Sequence, residues 1–254
     1  MNIKKAITLL GLAACMALTM AQSAAAGSIV YAAPLAEAKA AMNSNTYVTV
    51  SSVYVSTWLQ SYYVFTPKNI TPTEGFIIYP GALIDARAYA VLAQALAQQG
   101  ILVCIVPMPL NLAILDPNRA NKPIAKYPGI QTWVISGHSL GGAMACKYAK
   151  NNLSKIDGLV LLAAYPDSAD NLSGTGLPVL SLWATNDGLT TEAEVIASEA
   201  MLPGTALFYE ITGGNHSYFG YYTPSTAGDG TATITRANQT SQIVSETLYF
   251  IDSL

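Results

Sequence analysis

The sequence predicts an α/β fold in which helices cover both faces of a mostly parallel, twisted sheet. Six short and nearly continuous apolar runs carry this prediction, because strands buried on both faces have this pattern. The runs are GFIIYP (75–80), ILVCIVP (101–107), QTWVIS (131–136), GLVLLAA (158–164), PVLSLWA (178–184) and TALFYEI (205–211). Helical patterns lie between several of these runs, and such alternation favours parallel strands joined by helical crossovers.

Four segments carry the helical patterns. They are AYAVLAQALAQQ closed by Gly100, LGGAMACKYAKNN, TEAEVIASEAM with Thr191 as N-cap, and the final TSQIVSETLYFIDSL. Before the first apolar run, residues 47–65 are rich in valine, tyrosine, threonine and serine, which predicts an antiparallel N-terminal hairpin. In a sheet of this kind, functional residues are expected in the loops at the carboxyl ends of the strands.

The N-terminus has the pattern of an export signal. Lys4 and Lys5 precede the apolar residues 6–20, and Ala24-Ala25-Ala26 offers an A-x-A cleavage site before Gly27. We therefore expect residues 1–26 to be a signal peptide and residues 27–254 to form a single exported domain, periplasmic or secreted.

A second interpretation of the same segment stays open. Leu12-Ala13-Ala14-Cys15 resembles a bacterial lipobox, so the signal would end before Cys15 and the protein would be lipid-anchored at the cell envelope. Contact with a membrane is expected only in that case, because the apolar run is shorter than the ~20 residues that span a bilayer.

Composition excludes some function classes. The 254 residues carry 12 basic and 15 acidic side chains, a net charge of −3, and without Lys4 and Lys5 the balance is 10 against 15, or −5. This charge gives no electrostatic footprint for nucleic acid. With two histidines and no Cys-x-x-Cys, a zinc site lacks ligands. Cys104 and Cys146 are expected to be buried free thiols, with a disulfide between them as the alternative.

The stretch VISGHSLGGAMA holds the strongest chemical signal. It places Ser139 between Gly137 and Gly141, after a buried strand and at the start of a helix. This order is that of a nucleophile elbow, a tight turn that exposes the serine Oγ. The alternative is a plain glycine turn.

A serine needs a base, and the chain offers His138 and His216. His138 directly precedes Ser139, and because neighbouring side chains diverge it is predicted to pack beside the elbow. His216 lies in GGNHSYFG, directly after the last apolar run, from where a loop can return it to the serine. His216 is therefore the predicted base.

The third member of a triad in the order serine, acid, histidine lies between the other two in sequence. Asp187 follows the run PVLSLWA and is predicted to orient His216 through its second ring nitrogen. Asp167 and Asp170 follow the preceding run and are the alternative acids.

Two backbone N–H groups are expected to hold the negative charge that develops on the substrate oxygen. Leu140 follows the nucleophile at the helix start, and Ala82 lies in the loop Tyr79-Pro80-Gly81-Ala82 after an early strand. Proline has no N–H of its own, so Ala82 is the predicted second donor.

From about Tyr47 to its end the sequence resembles the α/β-hydrolase superfamily, and the matching segments are YPGALIDARAYAVLAQALAQQG, VISGHSLGGAMA, ATNDGL and GGNHSYFG. More narrowly it is similar to compact bacterial hydrolases near dienelactone hydrolase and the cutinase-like esterases. Dienelactone hydrolase uses a cysteine nucleophile where this chain has Ser139, so its reaction is not carried over. The resemblance implies an α/β-hydrolase fold. Lidded members insert a cap domain after the strand that corresponds to GLVLLAA. Here only residues 165–178 separate this strand from the next, which is too short for a cap domain.

The predicted function is that of a serine hydrolase that cleaves carboxylic esters through an acyl-enzyme formed on Ser139, with no cofactor. Tyr218 and Phe219 follow the predicted base and are expected to wall the acyl site or, alternatively, to pack on the fold. Two other functions stay open, a thioesterase or peptidase with the same triad and a non-catalytic envelope protein that binds a ligand. The substrate is expected to be a small or polymeric ester.

Overall fold

The computed structural model describes residues 31–55, 57–223 and 225–254, and residues 32–254 form one compact unit. The predicted signal peptide and Cys15 lie outside the described residues.

The main sheet has eight strands in the order β2-β3-β5-β4-β6-β7-β8-β9, and a small antiparallel sheet joins β1 to β10. The strands are β1 (Ala33–Pro34), β2 (Val48–Val55), β3 (Thr57–Pro67), β4 (Glu74–Tyr79), β5 (Leu102–Ile105), β6 (Thr132–His138), β7 (Gly158–Leu162), β8 (Val179–Ala184), β9 (Leu207–Ile211) and β10 (Tyr222–Thr223). β3 pairs antiparallel with β2 and β5, and the remaining neighbours in the main sheet are parallel. The predicted hairpin and mostly parallel sheet are confirmed.

All six apolar runs form strands, β4 to β9, but one of them is not buried on both faces. β9 is the edge strand of the sheet, and Leu207 at its start is 46% exposed. The apolar run TALFYEI alone does not distinguish an edge strand from a central one, because that difference depends on which strand pairs with which.

Six α-helices accompany the sheet in the described residues. They are α1 (Ala36–Ala41), α2 (Ala90–Gln98), α3 (Asn121–Lys126), α4 (Leu140–Asn151), α5 (Glu192–Ser198) and α6 (Arg236–Asp252). Gly100 follows the end of α2 with a φ of 103°, a left-handed conformation that glycine adopts without steric cost. Thr191 caps α5 in a capping box with Glu194.

Side chains of β4 show how the two faces of the sheet are covered. Phe76 and Ile78 belong to the core that includes buried residues of α2 and α6. Ile77 and Tyr79 alternate with them and belong to the core that includes buried residues of α4. Helices therefore cover both faces, as predicted.

The connection from β7 to β8, residues 163–178, is fully described and contains no cap domain. Its one regular element is the 3₁₀ turn Ser168–Asp170. Within the described part of the chain, no helix has the length and apolar character needed to cross a membrane. Cys104 and Cys146 are buried free thiols, one on β5 and one in α4.

Candidate active site

Ser139 occupies a strained turn between β6 and α4. Its backbone has φ 53° and ψ −124°, a conformation that a residue other than glycine seldom adopts. The turn is held by the Ser139 N–H, which donates to the carbonyl of Leu162 on the next strand at 3.0 Å. A strained backbone conformation persists only where the surrounding structure holds it in place. Here it occurs in the strand-turn-helix geometry of a nucleophile elbow.

The glycines around Ser139 allow backbone to pack directly on backbone. A Cβ atom on Gly141 would overlap with the carbonyl oxygens of Tyr79 and Pro80, and one on Gly137 would overlap with Gly141 itself. The start of α4 therefore lies against the loop after β4. This close approach brings the predicted oxyanion loop to the elbow.

Asp187 and His216 are joined by a hydrogen bond between two neighbouring loops. The Nδ1 atom of His216 lies 2.8 Å from Oδ2 of Asp187, and both side chains are almost completely buried. The other carboxylate oxygen of Asp187 accepts from the N–H groups of Leu189 at 2.8 Å and Thr190 at 2.7 Å. Because the carboxylate is held on both oxygens, Nδ1 of His216 carries the proton and Nε2 is left as the basic nitrogen.

His216 lies beside the elbow as well as beside its acid. Its ring centroid is 4.5 Å from that of His138, the residue before Ser139. The loop after β9 thus returns His216 to the carboxyl end of β6. The structure therefore joins the predicted base to the predicted acid and places the base against His138, the neighbour of Ser139 in sequence.

His138 takes part in a buried hydrogen-bond network with Tyr89 and Gly81. Its Nδ1 atom is 2.8 Å from the Tyr89 hydroxyl, which accepts from the Gly81 N–H at 2.9 Å. Burial raises the pKa of Tyr89 well above its usual value, so the hydroxyl keeps its proton and donates to Nδ1. Burial, and then the neighbouring His216, lower the pKa of His138 well below its usual value. His138 is therefore a neutral packing residue.

The same network fixes the loop that carries Ala82. Tyr89 occupies the N–H of Gly81, and the N–H of Leu83 donates to the carbonyl of Asn111 at 2.8 Å. Between them, the N–H of Ala82 donates to no group in the described structure, and neither does the N–H of Leu140 at the start of α4. Among the described residues, the two N–H groups predicted for the oxyanion hole therefore share the lack of a protein partner.

The alternative acids lie elsewhere. Asp167 caps the 3₁₀ turn Ser168–Asp170 by accepting from the N–H of Ala169 at 2.9 Å, and the structure pairs neither Asp167 nor Asp170 with a histidine.

The two aromatic residues after His216 pack on the fold. Phe219 is 2% exposed and stacks on His138, with ring centroids 5.7 Å apart. The ring of Tyr218 lies under the guanidinium of Arg236, 4.4 Å from its centre. Of the two roles expected for these residues, the placement favours packing over a wall for the acyl site.

Sequence reasoning missed two side chains that touch this site, Tyr89 and Asp229. Tyr89 lies eight residues after Gly81 in a segment that indicates only a helix start. Asp229 accepts from the N–H of His216 across 13 residues, although its segment AGDGTAT indicates only a turn. The sequence signal for this contact is a carboxylate, Asp229, in a glycine-rich turn shortly after His216. No group of three His, Cys, Asp or Glu side chains in the described part of the chain is arranged to hold a metal ion.

Comparison with known proteins agrees with the fold. The model of the alpha/beta hydrolase family matches residues 75–241, and the chain belongs to this family, which supports its assignment as a hydrolase. A solved structure described as a predicted CIB-like hydrolase from Thermoplasma acidophilum is similar in fold, with a TM-score of 0.59 and 13% sequence identity over 82% of this chain and 100% of that chain. No curated protein matches the chain in sequence.

Proposed function

We propose that this protein is an exported serine hydrolase that cleaves carboxylic esters through an acyl-enzyme formed on Ser139. The observation that carries the proposal is the 2.8 Å hydrogen bond between His216 and Asp187. It accompanies the positive φ of Ser139, 53°, at the turn between β6 and α4. A buried acid, an imidazole and a strained serine in this arrangement are the parts that nucleophilic acyl transfer needs.

The proposed reaction begins when Ser139 Oγ attacks the ester carbonyl carbon. Nε2 of His216 takes the hydroxyl proton, and Asp187 stabilises the resulting imidazolium through Nδ1. The carbonyl π electrons move onto the oxygen, which the N–H groups of Leu140 and Ala82 stabilise. When the tetrahedral intermediate collapses, the C–O bond to the alcohol breaks and His216 gives its proton to the leaving alcohol. Water then attacks the acyl-enzyme in the same way, which releases the acid and restores Ser139.

Family membership and the geometry of the site support the hydrolase part of this proposal. The connection between β7 and β8 inserts no cap domain, and this supports the part of the proposal that admits large or polymeric esters as substrates. No step of the proposed reaction requires a cofactor, since protein groups supply the nucleophile, the base and the oxyanion donors.

Turnover on matched substrates tests the reaction class. An ester, a thioester and an amide with the same acyl group are offered to the wild-type protein and to Ser139→Ala. We expect ester hydrolysis at the highest kcat/KM and its loss in the variant. Faster turnover of the thioester or the amide would replace the esterase with a thioesterase or peptidase. Saturable ligand binding by folded protein that hydrolyses none of them would favour a binding protein.

Export is proposed from the N-terminal sequence, and the mass of the mature N-terminus tests it. Cleavage after residue 26 predicts a chain that begins at Gly27. A diacylglyceryl cysteine at position 15 would indicate the lipid-anchored form, and a chain that retains residues 1–26 would contradict export.

A further inference from the structure

The turn that carries His216 is held at its amino end by a side chain that the proposed reaction does not use. His216–Phe219 form a short 3₁₀ helix. Asp229 accepts from the N–H of His216 through Oδ1 at 3.1 Å and from the N–H of Ser217 through Oδ2 at 2.8 Å. The first N–H groups of a helix have no partner inside it, and a carboxylate both accepts from them and complements their partial positive charge.

The carboxyl end of the same turn is held by a cation. Nη1 of Arg236 donates to the carbonyl oxygen of Ser217 at 2.9 Å and also to that of Gly220. Its guanidinium lies over the ring of Tyr218, 4.4 Å from the centre. A guanidinium presents several donors in one plane, so it reaches two carbonyls and stacks on a ring at once, which an ammonium group does not do.

Asp229 also reaches the loop of the catalytic acid. Its Oδ1 atom lies 3.4 Å from the N–H of Gly188, the residue after Asp187. The loop of Asp187 and the segment that carries Asp229 pack backbone on backbone, because a Cβ on Gly188 would overlap with the carbonyl oxygen of Gly228. One carboxylate therefore connects the loop that carries the base with the loop that carries the acid.

A second pair of contacts joins the same loops. A Cβ on Gly230 would overlap with the carbonyl oxygen of Asn186, and the Asn186 side chain donates to the carbonyl of Thr231 at 2.9 Å. Asn215, the residue before the base, donates through its side chain to the carbonyl of Gly230 at 2.8 Å. Residues 229–231 thus bridge the loop after β8 and the loop after β9.

We propose that Asp229 and Arg236 are positioning residues of the catalytic base, which hold the 3₁₀ turn at its two ends and keep His216 in register with Asp187 and Ser139. This inference rests on the proposed function, because it assigns a role through His216. Neither residue touches the reacting atoms. A displacement of about 1 Å in a catalytic group costs about 10²-fold in rate, so the turn needs such support.

The test compares Asp229→Asn, Asp229→Ala and Arg236→Lys with wild type on one ester substrate. We expect kcat to fall about 10- to 100-fold with little change in KM, and alanine to cost more than asparagine, which retains one acceptor oxygen. Asp157→Asn is the matched control. Asp157 also accepts a backbone N–H, that of Trp133 at 2.8 Å, but it precedes β7 at the opposite edge of the sheet.

If Asp229 is a positioning residue, its substitution lowers kcat through His216. A double-mutant comparison measures this dependence. In a His216→Ala background, Asp229→Asn should cause no further loss of residual activity, because there is no base to displace. An equal loss in both backgrounds would show a merely structural role and overturn the proposal. So would wild-type activity in both Asp229→Ala and Arg236→Lys.

A spectroscopic readout keeps this test separate from the proposed function. The proton between Nδ1 of His216 and Asp187 is buried and should give a low-field proton resonance. We expect Asp229→Asn to shift or broaden this resonance and Asp157→Asn to leave it unchanged, whether or not the protein hydrolyses esters. An inactive wild type with this pattern would contradict the esterase but retain the positioning role, and an unchanged resonance in Asp229→Asn would overturn the positioning role.

Discussion

Nδ1 of His216 and Oδ2 of Asp187 lie 2.8 Å apart although the two residues are 29 positions apart in the chain. Each follows the carboxyl end of a strand, β9 for His216 and β8 for Asp187, and these two strands are neighbours in the sheet. The parallel pairing of β8 and β9 therefore places the acid beside the base. Because Asp187 occupies Nδ1, the hydrogen bond leaves Nε2 as the nitrogen of His216 that can accept a proton.

Replacing Asp187 with asparagine should lower kcat by about 10⁴-fold while the protein stays folded. An amide supports the wrong tautomer of His216 and does not stabilise the imidazolium. Steady-state kinetics on an ester, with circular dichroism as the check on folding, measure this. Asp167→Asn serves as the comparison, since Asp167 caps a turn in the preceding connection; a larger loss there than at Asp187 would reassign the acid.

Replacing Tyr89 with phenylalanine should lower the free energy of unfolding by about 1–3 kcal/mol. The change leaves the N–H of Gly81 and Nδ1 of His138 without a partner in a buried site. Urea unfolding measures the loss. Tyr249→Phe is the matched control, because Tyr249 is 70% exposed and its hydroxyl is in water. Equal stability of the two variants would refute the buried network.

The stability of the protein should depend on pH through His138. Burial lowers the pKa of His138 in the folded state, so the unfolded state binds more protons below about pH 6.5. The contribution is fully present above that pH and is lost as the pH falls from there towards the folded-state pKa. The expected slope is up to about 1.4 kcal/mol per pH unit.

Urea unfolding of wild type and of His138→Gln over a series of pH values isolates this contribution. The variant keeps a group that can accept from Tyr89 but has no proton to gain, so its stability curve should be flatter on the acid side. Curves of identical slope would mean that His138 is protonated in the folded state.

Cys104 and Cys146 should resist thiol reagents until the protein unfolds. Both thiols are fully buried, and burial raises the pKa of each, which disfavours the reactive thiolate. We expect no alkylation of either residue in folded protein, alkylation of both in urea, and no change in Tm on adding a reductant. A reductant that lowers Tm would indicate a disulfide between them.

Local sequence patterns were sufficient to predict the strands, most helices and the elbow. The run QTWVIS followed by GHSLGG indicates a strand, a tight turn and a helix start in consecutive residues. The local sequence is therefore sufficient to predict this segment. The loops of Asp187 and His216 were also predictable, because a parallel sheet gathers the residues that follow its strands at one edge.

The parts that the sequence did not predict depend on contacts between distant segments. The exposure of β9 follows from its place at the edge of the sheet, which its own residues do not encode. The hydrogen bond from Tyr89 to His138 spans 49 positions, and the contacts of Asp229 and Arg236 with the His216 turn depend on how a loop folds back. Propensity and periodicity describe one element at a time and carry no information on such pairings.

The intact mass of the purified mature protein after reaction with a fluorophosphonate tests most directly whether Ser139 is an activated nucleophile. We expect one covalent adduct on the wild-type protein, its absence in Ser139→Ala, and strongly slowed labelling in His216→Ala. A well-folded wild type that gains no adduct, or an adduct that persists in Ser139→Ala, would contradict an activated serine at the elbow.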